Sequence, residues 1–383
     1  MSQKLPLPVP LFSDLFVIMD PGRDQDDEDV LVGINRFIRL EILSVLGVVA
    51  NLAPSLERAR LAKGTLHQLG QTAIAVGQGS SCKQPDDDGL EYQFNVGYLS
   101  DAGEIQDGKE LILRTLKDAK PKGIVLLLIS GMTDAAAVLK DHMHLFSSKV
   151  RRVVIMGGVV SKDDLPVLDS EGRMVPDMTA QNHSFDKEST EFLYRQLQDL
   201  QIPITVLSRH AAVAGKVPRA IYDDMAATGH PVGVRLLAAQ KLAIQELWAR
   251  ACMPADAAAR QGLPARCDKA WFCSAFCGGQ GNDRAATDSI WDIVQTFNLY
   301  DPCTLIAAIP NLREHFFAPQ VVEVHGIEHL VVGVSATQNN VRSGPELASF
   351  LCTTLVDGLE NGLTVDIDSE SGVAVPAQAK AAA

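Results

Sequence analysis

With 383 residues, 46% hydrophobic and 21% charged, the chain has ample material for one large core or two smaller ones. A formal charge of −13 with no basic stripe argues against non-specific binding to nucleic acid or to an anionic membrane. The longest apolar runs, such as residues 124–129, are far too short to span a bilayer.

Residues 15–19 form an apolar run that stops at Asp20. A run without polar alternation reads as a strand buried on both faces, as in parallel sheets. The turn Pro21-Gly22 follows, then Asp24, Asp26, Asp27, Glu28 and Asp29, and a helix continues over 30–39. A second apolar strand covers 42–50 and ends at Asn51, a helix covers 56–69, and a short strand at 73–76 stops at Gly77-Gln78-Gly79. The polar segment 80–102 reads as a loop, and a helix follows over about 103–118. A buried strand at 123–130 leads into Gly131-Met132-Thr133-Asp134 and an Ala-rich helix; the strand at 153–156 closes on Gly157-Gly158. After a loop over about 160–185 come a helix at 187–200 and a strand at 204–207, which ends at Ser208-Arg209. Residues 210–298 read as mostly helical, interrupted by a Cys- and Gly-rich patch at 262–282. Runs at 321–324 and 330–334 suggest a hairpin or adjacent strands at a sheet edge, and a last helix covers about 345–359.

Such strand–helix alternation predicts an α/β fold, an open and mostly parallel sheet with helices on both faces, plus a helical insertion. No linker divides the chain, so one domain over 12–365 is expected, with a disordered tail from Asp366. Open parallel sheets bind ligands at the carboxyl ends of their strands. Asp20, Asn51, the 77–79 loop, Thr133, Gly157-Gly158 and Ser208 all fall there. Seven scattered cysteines without paired spacing suit free thiols, and Pro6, Pro8 and Pro10 would break a signal-peptide core; cytoplasmic residence is the expectation.

The acids around the first turn carry the strongest chemical signal. Carboxylates are favoured in the first turn of a helix, but that does not account for Asp20, which precedes the turn. Six carboxylates this close raise one another's pKa unless a cation neutralises them. An all-oxygen donor set suits a hard ion, Ca²⁺ or Mg²⁺, better than zinc.

Several segments in this order resemble the nucleoside hydrolases, the inosine–uridine preferring nucleoside N-ribohydrolases. They are Asp20-Pro21-Gly22 with Asp26-Asp27, Val49-Ala50-Asn51, Ser130 to Asp134, Met156-Gly157-Gly158, Asn182 to Asp186, and Tyr300-Asp301-Pro302. Val217-Pro218-Arg219, Trp248, Arg266-Cys267-Asp268 and Trp271-Phe272 look like the branch that holds type III effectors of the XopQ class. The resemblance spans roughly residues 14–360 and implies that fold. It implies one Ca²⁺, held by the side chains of Asp20, Asp27 and Asp301 and the Thr133 carbonyl. Asp26 would be the general base, and Asn51 and Asn182 would bind ribose.

The implied activity is hydrolysis of the N-glycosidic bond of a ribonucleoside or close derivative. Carboxylates stabilise the oxocarbenium-like state of that cleavage, and an ionised Asp activates water. Departures point the other way. Asp24-Gln25 lengthens the acidic turn, leaving Asp24 or Asp26 as the base; Asp26 keeps Val30 and Leu31 on the apolar helix face. Tyr300 stands where many members have a His, and a phenol is the weaker acid. Ala180 replaces a ribose-binding Glu, for which Gln181 or Asp177 would substitute, and the loop at 159–177 is altered. The rival expectation is a binding protein for a nucleoside or ADP-ribose-like nucleotide that kept the metal cup and lost efficient catalysis. As an effector it would be delivered into a host cell and have a host protein partner; a homo-oligomer is equally open.

Among other candidates, Trp271 and Phe272 suit a nucleobase stack or a core, and His183 and His210 each follow a rim residue as alternative acids. Arg23 and Arg209 suit a phosphate or a hold on the turn itself, whereas Gly157-Gly158 lacks a dinucleotide fingerprint and reads as close packing.

Overall fold

A computed structural model describes residues 13–22, 24–82, 97–260 and 263–360, with the backbone of 365–367 and 374–376. The chain alternates strands and helices: β1 Ser13–Met19, α1 Asp26–Arg39, β2 Leu43–Ala50, α2 Ser55–Gln68, β3 Val76–Gln78, β4 Gln106–Asp107, α3 Gly108–Asp118 and β5 Ile124–Leu128. It continues through α4 Thr133–Asp141, α5 Met143–Lys149, β6 Val150–Gly157, the small hairpin β7 Ser161–Lys162 with β8 Leu165–Pro166, α6 Gln181–Ser184, α7 Lys187–Asp199 and β9 Ile204–Ser208. The insertion holds α8 Arg209–Ala214, β10 Val217–Pro218, α9 Ala220–Ala227, α10 Pro231–Ala251, α11 Lys269–Phe276 and β11 Thr296–Phe297. The chain returns with α12 Tyr300–Ala308, α13 Pro310–Phe316, β12 Gln320–Val324, β13 Ile327–Val332 and α14 Gly344–Leu359.

Nine strands form one sheet in the order β12-β13-β9-β6-β5-β1-β2-β3-β4. All neighbours pair parallel except the edge hairpin β12–β13. Strand order reverses between β1 and β5, so the crevice that a doubly wound sheet offers to ligands opens just beyond Asp20. β1 is buried on both faces because alternate side chains enter different layers. Leu15, Val17 and Met19 meet α1, α12 and α14, whereas Phe16 and Ile18 join residues of α3, α4 and α7 on the other face. A register shift at Leu15/Phe16 seats Phe16 over Gly47, where a Cβ would lie 2.8 Å from the ring.

Some boundaries differ from the sequence reading. The strand expected at 73–76 lies at Val76–Gln78, because Gly77 lets the backbone approach Gly108; a Cβ there would come within 2.8 Å of its Cα. The helix expected from 103 starts at Gly108, where Asp107 accepts from the Glu110 N–H at 2.8 Å and caps it. The patch at 262–282 encloses α11, capped by Asp268 on the Trp271 N–H at 2.8 Å. Val365–Ile367 pairs antiparallel with Ala374–Pro376, and the rest of the tail expected to be disordered from Asp366 lies outside the described residues. Arg23 and most of the 80–102 loop lie outside the described residues. Among the described residues no helix is long and apolar enough to cross a membrane.

Candidate functional site

Two helix N-termini face one another at the end of β1. Packing of α1 against α12 brings Asp26 and Asp27, from the first turn of α1, to Asp301, from the first turn of α12. One carboxylate oxygen of each lies within 4.8 Å of the others, and all three residues are buried. The positive ends of both helix dipoles favour anions here. The Asp301 N–H donates to Asp26 Oδ2 at 3.3 Å, and the Asp20 N–H donates to Asp27 Oδ1 at 2.9 Å.

Those bonds do not offset the burial. Desolvation, then the charges of Asp24, Asp29 and Asp20, hold the Asp26 carboxyl well above the usual range. Asp27 is raised by burial and then by Asp20 and Asp26, and Asp301 by burial and then by Asp26, Asp27 and Asp20. Among the described residues no basic side chain pairs with these three. An oxygen-only set of buried, mutually repelling carboxylates fits a hard divalent cation, so the group can hold a metal ion.

Asp20, expected as a ligand, stands half-buried at the rim of the trio. The fully buried guanidinium of Arg58 lies 4.0 Å from its carboxylate and donates to the Asp20 carbonyl at 2.6 Å and the Ala53 carbonyl at 3.2 Å. Nothing in the local sequence marked this arginine on α2 as a clamp on the acidic turn. Behind the trio, Glu28 pairs with Arg235 and accepts from Thr65 at 2.9 Å, while Tyr222 donates to Asp29 at 3.2 Å. The acidic turn thus divides into solvent-facing Asp24, the buried trio members, and two acids that bind the insertion.

The other expected site residues occupy varied settings. Asn51 is fully buried, and its amide is committed: Nδ2 donates to the Gly131 carbonyl at 3.0 Å and Asp134 at 2.8 Å, while Oδ1 accepts from Ser130. Thr133 opens α4 and donates its hydroxyl to Asp186 at 2.9 Å. Asn182 is half-buried with its amide on the Met156 carbonyl at 3.3 Å, and Gln181 beside it is exposed. Tyr300 accepts from Asn298 at 3.2 Å, and burial pushes its phenol up to about 12.

His183, named as an alternative acid, is fully buried. Its ring is buried between the Asp177 carbonyl at 2.9 Å and the Tyr194 hydroxyl at 3.2 Å, and burial lowers it to about 4. Gly157 makes room for it, since a Cβ there would sit 2.1 Å from Nε2. Phe272 is core, and Trp271 and Phe276 pack edge to face at 5.6 Å in the same aromatic cluster.

No family model matches the sequence, and no curated protein matches it. Solved structures do. The type III effector XopQ, crystallised with adenosine diphosphate ribose, is 29% identical with a TM-score of 0.78, covering 91% of this chain and 95% of its own. A second effector protein is also 29% identical, with the same coverage and a TM-score of 0.75. The inosine–uridine preferring nucleoside hydrolase of Bacillus anthracis is 14% identical with a TM-score of 0.54, covering 90% of this chain and 99% of its own. The chain is therefore a structural match to the XopQ effector and, more distantly, has the fold of the nucleoside hydrolases.

Proposed function

We propose that the protein binds an ADP-ribose-like nucleotide, gripping its ribose at a Ca²⁺ in the cup of Asp26, Asp27 and Asp301. The convergence of three buried carboxylates, with no basic partner among the described residues, carries this reading. The XopQ complex with ADP-ribose supports the ligand class. Asp20 and the Thr133 carbonyl complete the ligand set that the sequence resemblance implies. The cation would supply the positive charge that holds a ribose's vicinal hydroxyls. Asn182 reaches the sugar from α6, with Asp24 and Gln181 at the solvent side; Asn51 acts indirectly, by fixing the Ser130–Asp134 turn.

A second reading, hydrolysis of an N-glycosidic bond, is favoured by Asp26. In it Asp26 takes a proton from water as the water oxygen adds to the anomeric carbon, and the C–N electron pair leaves with the base. Tyr300, pushed up to about 12 by burial, is a poor donor to that base, so in this reading either another group protonates the base or the leaving group departs unprotonated. Calorimetry with ADP-ribose and nucleosides, with Ca²⁺ or chelator, tests both readings alongside an assay for released base. Binding that needs Ca²⁺ and Asp27, without product, is the expected result. Product release abolished in Asp27→Ala would establish the second reading; binding indifferent to both would reject the cup.

A further inference from the structure

A pocket of about 210 Å³ opens on the same carboxyl rim, at the ends of β6, β9 and β13. Gly158, Ser208 and Gly333 keep its base small, and Asp177, Arg209 and His210 line its walls. Gly158 has φ +155°, and a Cβ there would face Asp177 and Ser208 across the opening. Two contacts link the elements that wall the pocket to those that carry the acid cup. Helix α12, which presents Tyr300 and Asp301, packs on β6, β9 and α8, and Asn182 holds the Met156 carbonyl just before Gly157.

Its polar groups are of two kinds. Arg209 is exposed and makes no ion pair or side-chain hydrogen bond among the described residues; its charge acts on Tyr300 toward the cup and on His210 in the pocket. The His210 ring likewise has no hydrogen-bond partner among the described residues, and burial followed by the Arg209 charge lowers its pKa, which leaves a neutral ring with one N–H to donate. Opposite them, Asp177 takes both Thr179 donors on Oδ1, at 2.9 and 2.7 Å, and among the described residues Oδ2 is open to a donor. A bare anion would suit Arg209 and be repelled by Asp177. A phosphorylated sugar satisfies both, with phosphoryl oxygens on the guanidinium and imidazole and a hydroxyl on the carboxylate.

We infer that this pocket receives the phosphoryl-bearing arm of the ligand, so that the chain selects phosphorylated ribosyl compounds over free nucleosides. The inference deepens the nucleotide reading and rests on it for the ribose half alone.

The test is calorimetry on matched probes, ribose 5-phosphate against ribose and ADP-ribose against adenosine, with wild type, Arg209→Ala and Asp27→Ala. Arg209 is exposed, so its replacement leaves the core untouched. Arg209→Ala is expected to weaken the phosphorylated probe of each pair about tenfold or more, to leave its partner unchanged, and to flatten the salt dependence. Asp27→Ala is expected to weaken ribose and ribose 5-phosphate together. If Asp27→Ala changes nothing while Arg209→Ala still abolishes the phosphoryl preference, the cup reading fails and the pocket stands. Equal weakening of both probes by Arg209→Ala, no weakening of either, or no phosphoryl preference in the wild type would overturn the inference.

Discussion

Asp27 and His183 are both buried, yet they couple folding to pH with opposite signs. The Asp27 carboxyl is raised by burial and by Asp20 and Asp26, so the metal-free folded chain keeps a proton that the unfolded chain releases above about 3.8. Its contribution to stability is therefore full below that value and is lost as pH climbs through the raised folded pKa. Metal-free Asp27→Asn should melt above the parent at about pH 7.5, lose the advantage by about pH 4, and no longer respond to Ca²⁺. Melting curves in chelator at both pH values check this; a parent already insensitive to Ca²⁺ would count against the cup. His183 works in reverse. Lowered by burial to about 4, it stays neutral in the fold while the unfolded chain protonates near 6.5, so its contribution is full above 6.5 and lost as pH falls through 4. The shift corresponds to about 3 kcal/mol. His183→Gln should show a shallower loss of stability between those pH values, read by denaturant melts across the range.

Helix packing sets the spacing of the acids. α1 lies against α12 and α14, and it meets α14 where Gly358 lets the helices close; a Cβ there would fall 2.4 Å from the Val32 carbonyl. Asn35 fixes the same contact by donating to the Gly358 carbonyl at 2.7 Å, and Arg36 pairs with Asp357 at 2.7 Å. Gly358→Ala should cost about 1–3 kcal/mol, seen as a lower Tm, and should weaken Ca²⁺ binding, because α1 carries Asp26 and Asp27. The acidic turn has its own brace. Replacing Arg58 by Met removes the donor to the Asp20, Pro21 and Ala53 carbonyls, a loss of about 3 kcal/mol for a buried charged donor. The same variant should bind Ca²⁺ more weakly, although Arg58 itself carries a repelling charge; tighter binding would show that charge, and not the brace, dominates.

Across the whole molecule, a net charge of −13 coexists with a site that concentrates buried carboxylates. A ligand that binds only the folded state stabilises it by about 2.7 kcal/mol at a hundred times its Kd. ADP-ribose should therefore raise the Tm in Ca²⁺ and do so far less in chelator. Equal shifts in both conditions would place the ribose away from the acids. Cup and side pocket lie on one rim because the parallel strands all point their carboxyl ends the same way.

That rim was legible in the sequence. A buried parallel strand announces itself as an apolar run cut off by a polar residue or a glycine, which is why Asp20, Asn51, Ser208 and Gly157-Gly158 at the end of β6 are legible as strand ends. The acid set and the match to the nucleoside hydrolase fold were visible for the same reason, since both are written in short contiguous segments. Partnership was not. That Asp26 joins Asp27 and Asp301 while Asp20 stays at the rim, that Asn51 spends its amide on Gly131 and Asp134, and that Arg58 clamps the turn are contacts between residues remote in sequence. Only the folded chain decides which groups lose water and which neighbours replace it, and those two things set charge, protonation and reach.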